Sequence, residues 1–236
     1  MIRCDNLTRA FEGDGVFDIS LQVQAGQTLG LLGPTGAGKS VLLRVLAGHL
    51  RAQAGTASVF GLDCWRDRRR IFRRAVYAPM VPALEMRMTG EEYLNFSARY
   101  HGGFNPQKAR RLTEQMDIPL TGQCRRMGQE ERKKLGLLAA LALDAEVFLL
   151  DEPFGSLSAF ARGALADALQ ALRQSGAAVL MTSHVLEEVR RACSHIAIIR
   201  QGRLVVTQPV EALSLTRQKV YHITFNSPQQ AASFAA

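Results

Sequence analysis

The chain has 236 residues and a formal net charge of +8, and 47% of its residues are hydrophobic. This length allows one large or two small domains with a buried core, and the apolar content excludes a disordered or collagen-like chain. No apolar run reaches the roughly 18 residues of a membrane-spanning helix. The first residues, Met1–Asp5, lack the apolar centre of a secretion signal. We therefore predict a cytoplasmic protein that only a partner would hold at a membrane.

In chain order, Ile2–Leu7 and Val16–Val23 are predicted to form an antiparallel hairpin. Short apolar runs then alternate with helical patterns, which predicts an α/β fold with a mainly parallel sheet and crossover helices. The predicted strands of this sheet are Thr28–Leu32, Ala75–Ala78, Val147–Leu150, Ala178–Thr182 and Ile196–Ile199.

Between Pro82 and Asp144 the strand pattern disappears, and apolar residues recur at helical spacing. This predicts a helical insert over about residues 82–145, interrupted at Gly102-Gly103. The main domain is expected to cover residues 1–218. Residues 219–236 alternate like a strand and then resemble a helix start, so we expect a small C-terminal β-α extension, either complete or truncated.

Two further features have alternative interpretations. The run Arg66–Arg74 carries six arginines, which could contact nucleic acid or anionic lipid. No aromatic residues are spaced along it as a base-stacking platform, so a solvated helix face is favoured. The four cysteines form no C-x-x-C pair, which predicts buried, reduced thiols.

The strongest motif directly follows the strand Thr28–Leu32 and precedes a predicted helix that begins near Val41. We call it the phosphate loop; it consists of Gly33, Pro34, Thr35, Gly36, Ala37, Gly38, Lys39 and Ser40. Its glycines let successive backbone N–H groups point at phosphate oxygens, and the helix N-terminus favours negative charge. Lys39 supplies a point charge for the β- and γ-phosphates, and the Ser40 hydroxyl can ligate Mg²⁺. The motif predicts ATP binding with Mg²⁺.

Two other strands end in polar residues at the same predicted edge of the sheet. Val147–Leu150 is followed by Asp151 and Glu152, and Ala178–Thr182 by Ser183 and His184. Unpaired carboxylates at a strand tip are expensive without a function. Beside a nucleotide, Asp151 can hold Mg²⁺ through water and Glu152 can polarise the attacking water. Ligands bind at this edge of parallel sheets, so His184 could reach the γ-phosphate.

Over about residues 1–210 the chain resembles the nucleotide-binding subunits of ABC transporters. Phe11 falls where that family stacks an aromatic ring on adenine, and Gly33–Ser40, with Val41 after it, matches the Walker A loop. Val147–Glu152 resembles the Walker B strand, with Glu152 at the catalytic glutamate and His184 at the switch histidine. The resemblance implies a P-loop NTPase core. Tyr77-Ala78-Pro79 and the segment Met88–Leu94 are most similar to exporters whose membrane domain is a separate chain.

Three positions depart from the family pattern. A glutamine is expected where this chain has Met80, and a thioether is a poor ligand for Mg²⁺. The D-loop aspartate is replaced by Ser158. The expected signature Leu-Ser-Gly-Gly-Gln is degenerate, and its positions are occupied by Met127, Gly128, Gln129, Glu130 and Glu131.

Family resemblance implies two partners, a transmembrane permease subunit and a second ABC ATPase subunit in a hetero- or homodimer. The favoured hypothesis is an ATP-hydrolysing exporter subunit, peripheral at the inner face of the membrane, that pairs with a subunit carrying an intact signature. A homodimer stays open, with the glutamates neutralised by Arg125, Arg126, Lys133 or Lys134. The alternatives are a regulatory ATP-binding subunit with little hydrolysis and a cytosolic ABC ATPase acting on nucleic acid. The last is least favoured, because such chains usually carry two ATPase halves.

Overall fold

The computed structural model of the chain describes residues 1–11, 14–101 and 103–215. The strands are β1 (Ile2–Phe11), β2 (Asp14–Val23), β3 (Thr28–Leu32), β4 (Ala54–Val59), β5 (Leu62–Asp63), β6 (Ala75–Ala78), β7 (Val147–Leu150), β8 (Ala178–Ser183), β9 (His195–Arg200) and β10 (Arg203–Pro209). The helices are α1 (Lys39–Leu46), α2 (Arg68–Ile71), α3 (Gly90–Ala98), α4 (Pro106–Met116), α5 (Gln129–Leu141), α6 (Ala159–Gln174) and α7 (Leu186–Ala192). The predicted extension at 219–236 lies outside the described residues.

The strands form two sheets. A four-stranded antiparallel sheet has the order β2-β1-β4-β5, and a six-stranded sheet has the order β10-β9-β3-β8-β7-β6. In the larger sheet only β10 runs antiparallel to its neighbour. The predicted hairpin and the five predicted strands of the parallel sheet are confirmed, with differences only at their ends.

The strand β7 shows why these short apolar runs occupy the centre of the sheet. All four of its residues are buried. Side chains alternate across a strand, and accordingly Val147 and Leu149 pack in the core shared with the antiparallel sheet and α1. Phe148 and Leu150 pack in the opposite core, which is shared with α4, α5 and α6. Since both faces of the strand are covered, the run is apolar throughout rather than alternating.

Between β6 and β7 the described residues form helices and turns and no strand longer than a single bridge. Two of these helix starts have a local cause. Thr89 and Glu92 form a reciprocal capping box at α3, and the Asn105 side chain accepts two backbone N–H bonds ahead of Pro106 at α4. The predicted helices are therefore present, and the domain boundaries drawn around them stay a prediction.

Of the basic run, only Arg68–Ile71 is helical, and two of the arginines in the run pair with carboxylates of the chain, Arg70 with Asp67 and Arg74 with Glu146. The Arg68 guanidinium lies over the Trp65 ring, while Arg74 lies over Phe60 and pairs with Glu146 at 2.6 Å. The helix is shorter than expected, and the favoured interpretation, a solvated helical face, stays a prediction. All four cysteines are free and buried, as predicted. No helix among residues 1–11, 14–101 and 103–215 combines the length and apolar character needed to cross a bilayer.

Candidate nucleotide-binding site

The phosphate loop joins the end of β3 to the start of α1, and two of its glycines are required by their surroundings. Gly38 has φ of 92°, in the left-handed region, and a Cβ built there would lie 2.3 Å from the Gly15 carbonyl oxygen. A Cβ on Gly33 would lie 2.4 Å from the Ile199 carbonyl oxygen. No other residue type fits these positions without moving the neighbouring backbone. The loop therefore curls tightly against the sheet and directs the N-terminus of α1 into the site.

The buried ammonium of Lys39 lies inside this loop. Its Nζ donates to the carbonyl oxygens of Gly33 at 2.7 Å and Pro34 at 3.1 Å. It also lies 3.2 Å from Oε1 of Glu152, which is equally buried. A buried cation needs such partners. The loop, a cation and a helix N-terminus thus converge on one point, which is the arrangement that phosphate groups bind.

A second cluster joins Ser40, Asp151 and Thr182. The Ser40 hydroxyl donates to Oδ1 of Asp151 at 3.0 Å, and the Thr182 hydroxyl donates to the same oxygen at 2.8 Å. Thr182 also accepts the backbone N–H of Glu152 at 2.8 Å. Hydroxyl and carboxylate oxygens are the hard donors that Mg²⁺ prefers, so the donor set fits that ion. The sequence analysis missed Thr182; a hydroxyl in an otherwise apolar strand, two residues before His184, is the signal that could have identified it.

Glu152 links the loop to His184. Its Oε2 lies 3.0 Å from Nδ1 of His184, while its other oxygen pairs with Lys39. The backbone of Glu152 has φ of 44°, a left-handed conformation that is uncommon outside glycine. This turn points the carboxylate sideways across the strand ends instead of onward along β7. Its two oxygens are thereby held between a cation and an imidazole at the mouth of the loop.

Part of the phosphate loop, with Glu152 and His184, lines a cavity of about 230 Å³. It is lined by residues 35–41 together with Asp14, Met80, Glu152, Gly155 and His184. Val41, predicted to bind ATP, is therefore in the lining, and so is Met80 from the loop after β6. A larger concavity of about 390 Å³ beside Cys64 and Trp65 contains none of the predicted site residues.

Phe11 lies at the rim of this cavity, because it is the register partner of Asp14 in the hairpin of β1 and β2. Its side chain is 44% exposed. The Arg9 guanidinium lies 4.7 Å from the centre of the Phe11 ring, at cation–π distance. Arg9 was not predicted; it supports the ring whose exposed surface is available to a stacked base.

The five signature positions lie around the start of α5, and their side chains are bonded within the chain. Met127 is buried. Oε2 of Glu131 accepts the backbone N–H of Gly128 at 2.6 Å, which caps α5. Gln129 donates to the Ser156 hydroxyl at 3.0 Å, and Oε1 of Glu130 accepts the Ser158 N–H at 2.9 Å. We call Gly128–Glu131 the signature segment. It is joined to the loop before α6 by Gln129 and Glu130.

The predicted neutralisation of these glutamates by Arg125, Arg126, Lys133 or Lys134 stays a prediction for the dimer, and in the single chain the two lysines bond elsewhere. Lys133 and Lys134 are buried, and their ammonium groups donate to backbone carbonyls elsewhere. The pKa of Glu130 is lowered first by its hydrogen bond with Ser158, and the charge of Lys134 adds only a smaller attraction. Arg125 donates to Gln123. The carboxylates are therefore satisfied mainly by backbone N–H groups.

Comparisons with known proteins identify the family and the fold of this chain. The family model described as ABC transporter matches residues 16–155, more than half of the chain. This chain belongs to the ABC transporter family. Its fold is that of the family's ATP-binding cassettes: an ATP-binding subunit of an ABC transporter aligns with a TM-score of 0.82, 22% identity and coverage of 91% of this chain and 92% of that one. A dimeric bacterial ABC transporter cassette aligns with a TM-score of 0.80, 16% identity and coverage of 89% and 99%.

Curated relatives of this ABC chain include several ATP-binding proteins. The Nostoc sp. ABC transporter ATP-binding protein all4389 is 33% identical over 86% of this chain and 62% of its own length. The daunorubicin resistance ATP-binding protein DrrA2 of Streptomyces coeruleorubidus is 35% identical over 87% and 64%. The Nod factor export ATP-binding protein I of Cupriavidus metallidurans is 31% identical over 84% and 67%. The chain thus spans less than two thirds of the length of the first two relatives.

Proposed function

We propose that this chain is the ATP-hydrolysing subunit of a membrane exporter and that it works with a permease subunit and a second ABC subunit. The observation that carries the proposal is the position of Glu152. Its carboxylate lies at the mouth of the phosphate loop between Lys39, at 3.2 Å, and His184, at 3.0 Å. A carboxylate so held can orient water against a γ-phosphate that enters the loop.

In this mechanism the loop backbone and Lys39 bind the phosphates, and the exposed ring of Phe11 stacks on adenine. Ser40 and Asp151 would hold Mg²⁺, which when bound neutralises charge on the phosphate oxygens. Glu152 exchanges its contact with Lys39 for the attacking water and accepts that water's proton. His184, 57% exposed at its side chain, donates a hydrogen bond to the γ-phosphate and keeps Glu152 aligned.

The export assignment rests on the relatives named for drug resistance and Nod factor export and on a groove beside β6. The groove has a volume of about 290 Å³ and lies between the loop after β6 and the helices α3 and α5. His49 and Tyr77 meet edge to face at its floor. Large apolar side chains are exposed nearby at Met80, Val81 and Met86. Such a surface suits a helix of a membrane subunit, which would hold this chain at the inner face of the membrane.

Docking at this groove can be tested by crosslinking. The four native cysteines are buried, so introduced cysteines are the ones expected to react. Ala83→Cys and Met86→Cys should crosslink to the membrane subunit that copurifies from detergent extracts. Thr56→Cys, exposed on the antiparallel sheet, is the control. If only Thr56→Cys forms crosslinks, the membrane subunit docks at the antiparallel sheet and the proposed groove is overturned.

Pairing with a different ABC subunit is proposed from the signature segment. In this family each ATP lies between one phosphate loop and the partner's signature. Here the serine is Gly128, and losing its hydrogen bond costs each closed site about 1–3 kcal/mol. Two carboxylates at the same place repel phosphate. A heterodimer keeps one favourable site, formed by this chain's Lys39, Asp151, Glu152 and His184 with an intact partner signature.

The test is steady-state ATP hydrolysis by the purified chain, alone and with a coexpressed ABC subunit that carries Leu-Ser-Gly-Gly-Gln. We expect feeble turnover alone and strong turnover in the pair. Glu152→Gln should lower that turnover about 10²- to 10⁴-fold, because a general base is lost. Glu146→Gln, which changes a surface carboxylate paired with Arg74, is the matched control. Robust, cooperative turnover of the chain alone would overturn the heterodimer, and equal activity of Glu152→Gln and wild type would overturn hydrolysis at this site.

A further inference from the structure

The helix α5 carries two adjacent buried lysines that are bonded in different parts of the molecule. Lys133 is 5% exposed and Lys134 is 9% exposed. The Lys134 ammonium donates to the carbonyl oxygens of Met116 at 2.8 Å and Asp117 at 2.9 Å, at the end of α4. The Lys133 ammonium instead donates to Met80 at 2.7 Å and to Asp151 at 3.5 Å. Only Lys133 reaches the nucleotide site.

One carbonyl that Lys133 contacts belongs to a residue lining that site, and the other belongs to a residue bonded to it. Met80 lines the nucleotide cavity. Asp151 follows β7 and receives the Ser40 and Thr182 hydroxyls. The two segments are already adjacent, because the Asp151 N–H donates to Ala78 at 2.9 Å. Lys133 hydrogen-bonds α5 to both segments, to the one that follows β6 and to the one that follows β7.

Burying an ammonium group in such a space has a high desolvation cost. A buried cation must be fully hydrogen-bonded to be tolerated, and an apolar side chain of similar volume would pack there without that requirement. Met80 cannot supply the polar side chain found at its position in the family pattern. Its main chain is therefore the part of this loop that can be held against the strand tip, and Lys133 bonds to that main chain.

We propose that Lys133 is a positioning residue for ATP hydrolysis, which joins α5 to the Met80 and Asp151 carbonyls so that the carboxylates at the end of β7 keep their places opposite Lys39. This inference rests on the proposed ATPase function. Lys133 does not touch the reacting atoms. It acts through Asp151 and Glu152, and it makes the nucleotide site sensitive to the position of α5.

The two lysines allow a matched test in the pair formed by this chain and the coexpressed ABC subunit. Lys133→Met and Lys134→Met both remove a buried ammonium from neighbouring positions of one helix, so both should lower the melting temperature. Lys133→Met should also lower kcat at least tenfold while KM for ATP stays within about threefold. Lys134→Met should keep both constants near wild type. Lys133→Arg, which retains the charge and several donors, should recover part of the lost kcat.

Equal effects of the two methionine variants on kcat would overturn the inference, because Lys133 would then be only structural. A change confined to KM would overturn it as well. If Lys133→Met does not fold, Lys133→Gln replaces it with the same criterion for kcat. A wild-type pair that neither binds nor hydrolyses ATP would instead overturn the proposed function, so the two failures are distinguishable.

Discussion

Two helix N-termini of this ABC fold differ in the charge that lies beside them: the start of α1, after the phosphate loop at the edge of the sheet, and the start of α5, at the signature segment. At the start of α1 a cation, Lys39, and a curled backbone converge on an open cavity. At the start of α5 the carboxylate of Glu131 accepts the Gly128 N–H at 2.6 Å. A helix N-terminus attracts anions, and here the chain's own Glu131 carboxylate occupies that position.

This difference indicates how one fold separates two tasks. The phosphate loop surrounds an open cavity with backbone N–H groups and the Lys39 ammonium, whereas the polar side chains of the signature segment form bonds within their own chain. Gln129 contacts Ser156, and Glu130 contacts the Ser158 N–H. The segment is therefore bonded to the loop before α6. Three substitutions test this difference between the two regions.

The largest effect is expected at the nucleotide edge. Lys39→Ala removes a charge-assisted contact worth about 1.5–3 kcal/mol, so ATP affinity should fall roughly 10- to 150-fold. Isothermal titration calorimetry measures this directly. Lys108→Ala is the control, because it removes a lysine whose partner, Asp144, is on the surface. Unchanged ATP affinity in Lys39→Ala would mean that the loop does not bind the phosphates.

A smaller and opposite effect is expected at the signature segment. Glu131→Gln keeps an oxygen that can accept the Gly128 N–H, but it removes the charge. A carboxylate about 6 Å from a phosphate charge costs roughly 3 kcal/mol at an effective dielectric of 20. ATP-dependent homodimerisation of a Glu152→Gln chain should therefore strengthen by up to about 100-fold, as measured by sedimentation. Glu114→Gln, whose carboxylate pairs with Arg110, should have no effect; equal dimerisation in both variants would refute charge repulsion.

The smallest effect is expected behind the adenine position. Arg9 over Phe11 is a cation–π contact worth about 0.5–1 kcal/mol at an exposed site. Arg9→Met should weaken ATP binding roughly two- to fivefold by loosening the ring, and it should leave binding of inorganic tripolyphosphate unchanged. Arg68→Met removes a similar contact at Trp65, away from the cavity, and serves as the control. A parallel loss of tripolyphosphate affinity would show that Arg9 acts on phosphate instead.

The parts of the molecule that could be predicted from the sequence are those fixed by local pattern. The strand β7 is recognisable because four consecutive apolar residues are buried on both faces, and the phosphate loop because glycine spacing has few other uses. Asp151 and Glu152 follow from their place at a strand tip. The site roles assigned to these residues stay predictions.

The contacts that could not be predicted depend on how α5 docks. Lys133 and Lys134 are adjacent in sequence, but helix geometry sends their side chains in different directions, to acceptors 53 and 18 residues away. Glu130 looks like an uncompensated carboxylate until the Ser158 N–H, 28 residues on, is placed beside it. No local pattern encodes such pairs, so the acceptors of these lysines and the donor to Glu130 could not be predicted from the sequence.

The left-handed backbone of Glu152, with φ of 44°, is strained, yet the same residue supplies the anion of a buried ion pair. A non-glycine residue in this region costs of the order of 1 kcal/mol, and glycine would relieve that strain. Glu152→Gly would also leave the buried Lys39 ammonium without its carboxylate, which costs about 3–5 kcal/mol, so the substitution should lower stability. A thermostability screen of this chain should therefore retain Glu152 even without selection for turnover, and only an ATPase assay separates its part in the ion pair from its proposed part in hydrolysis.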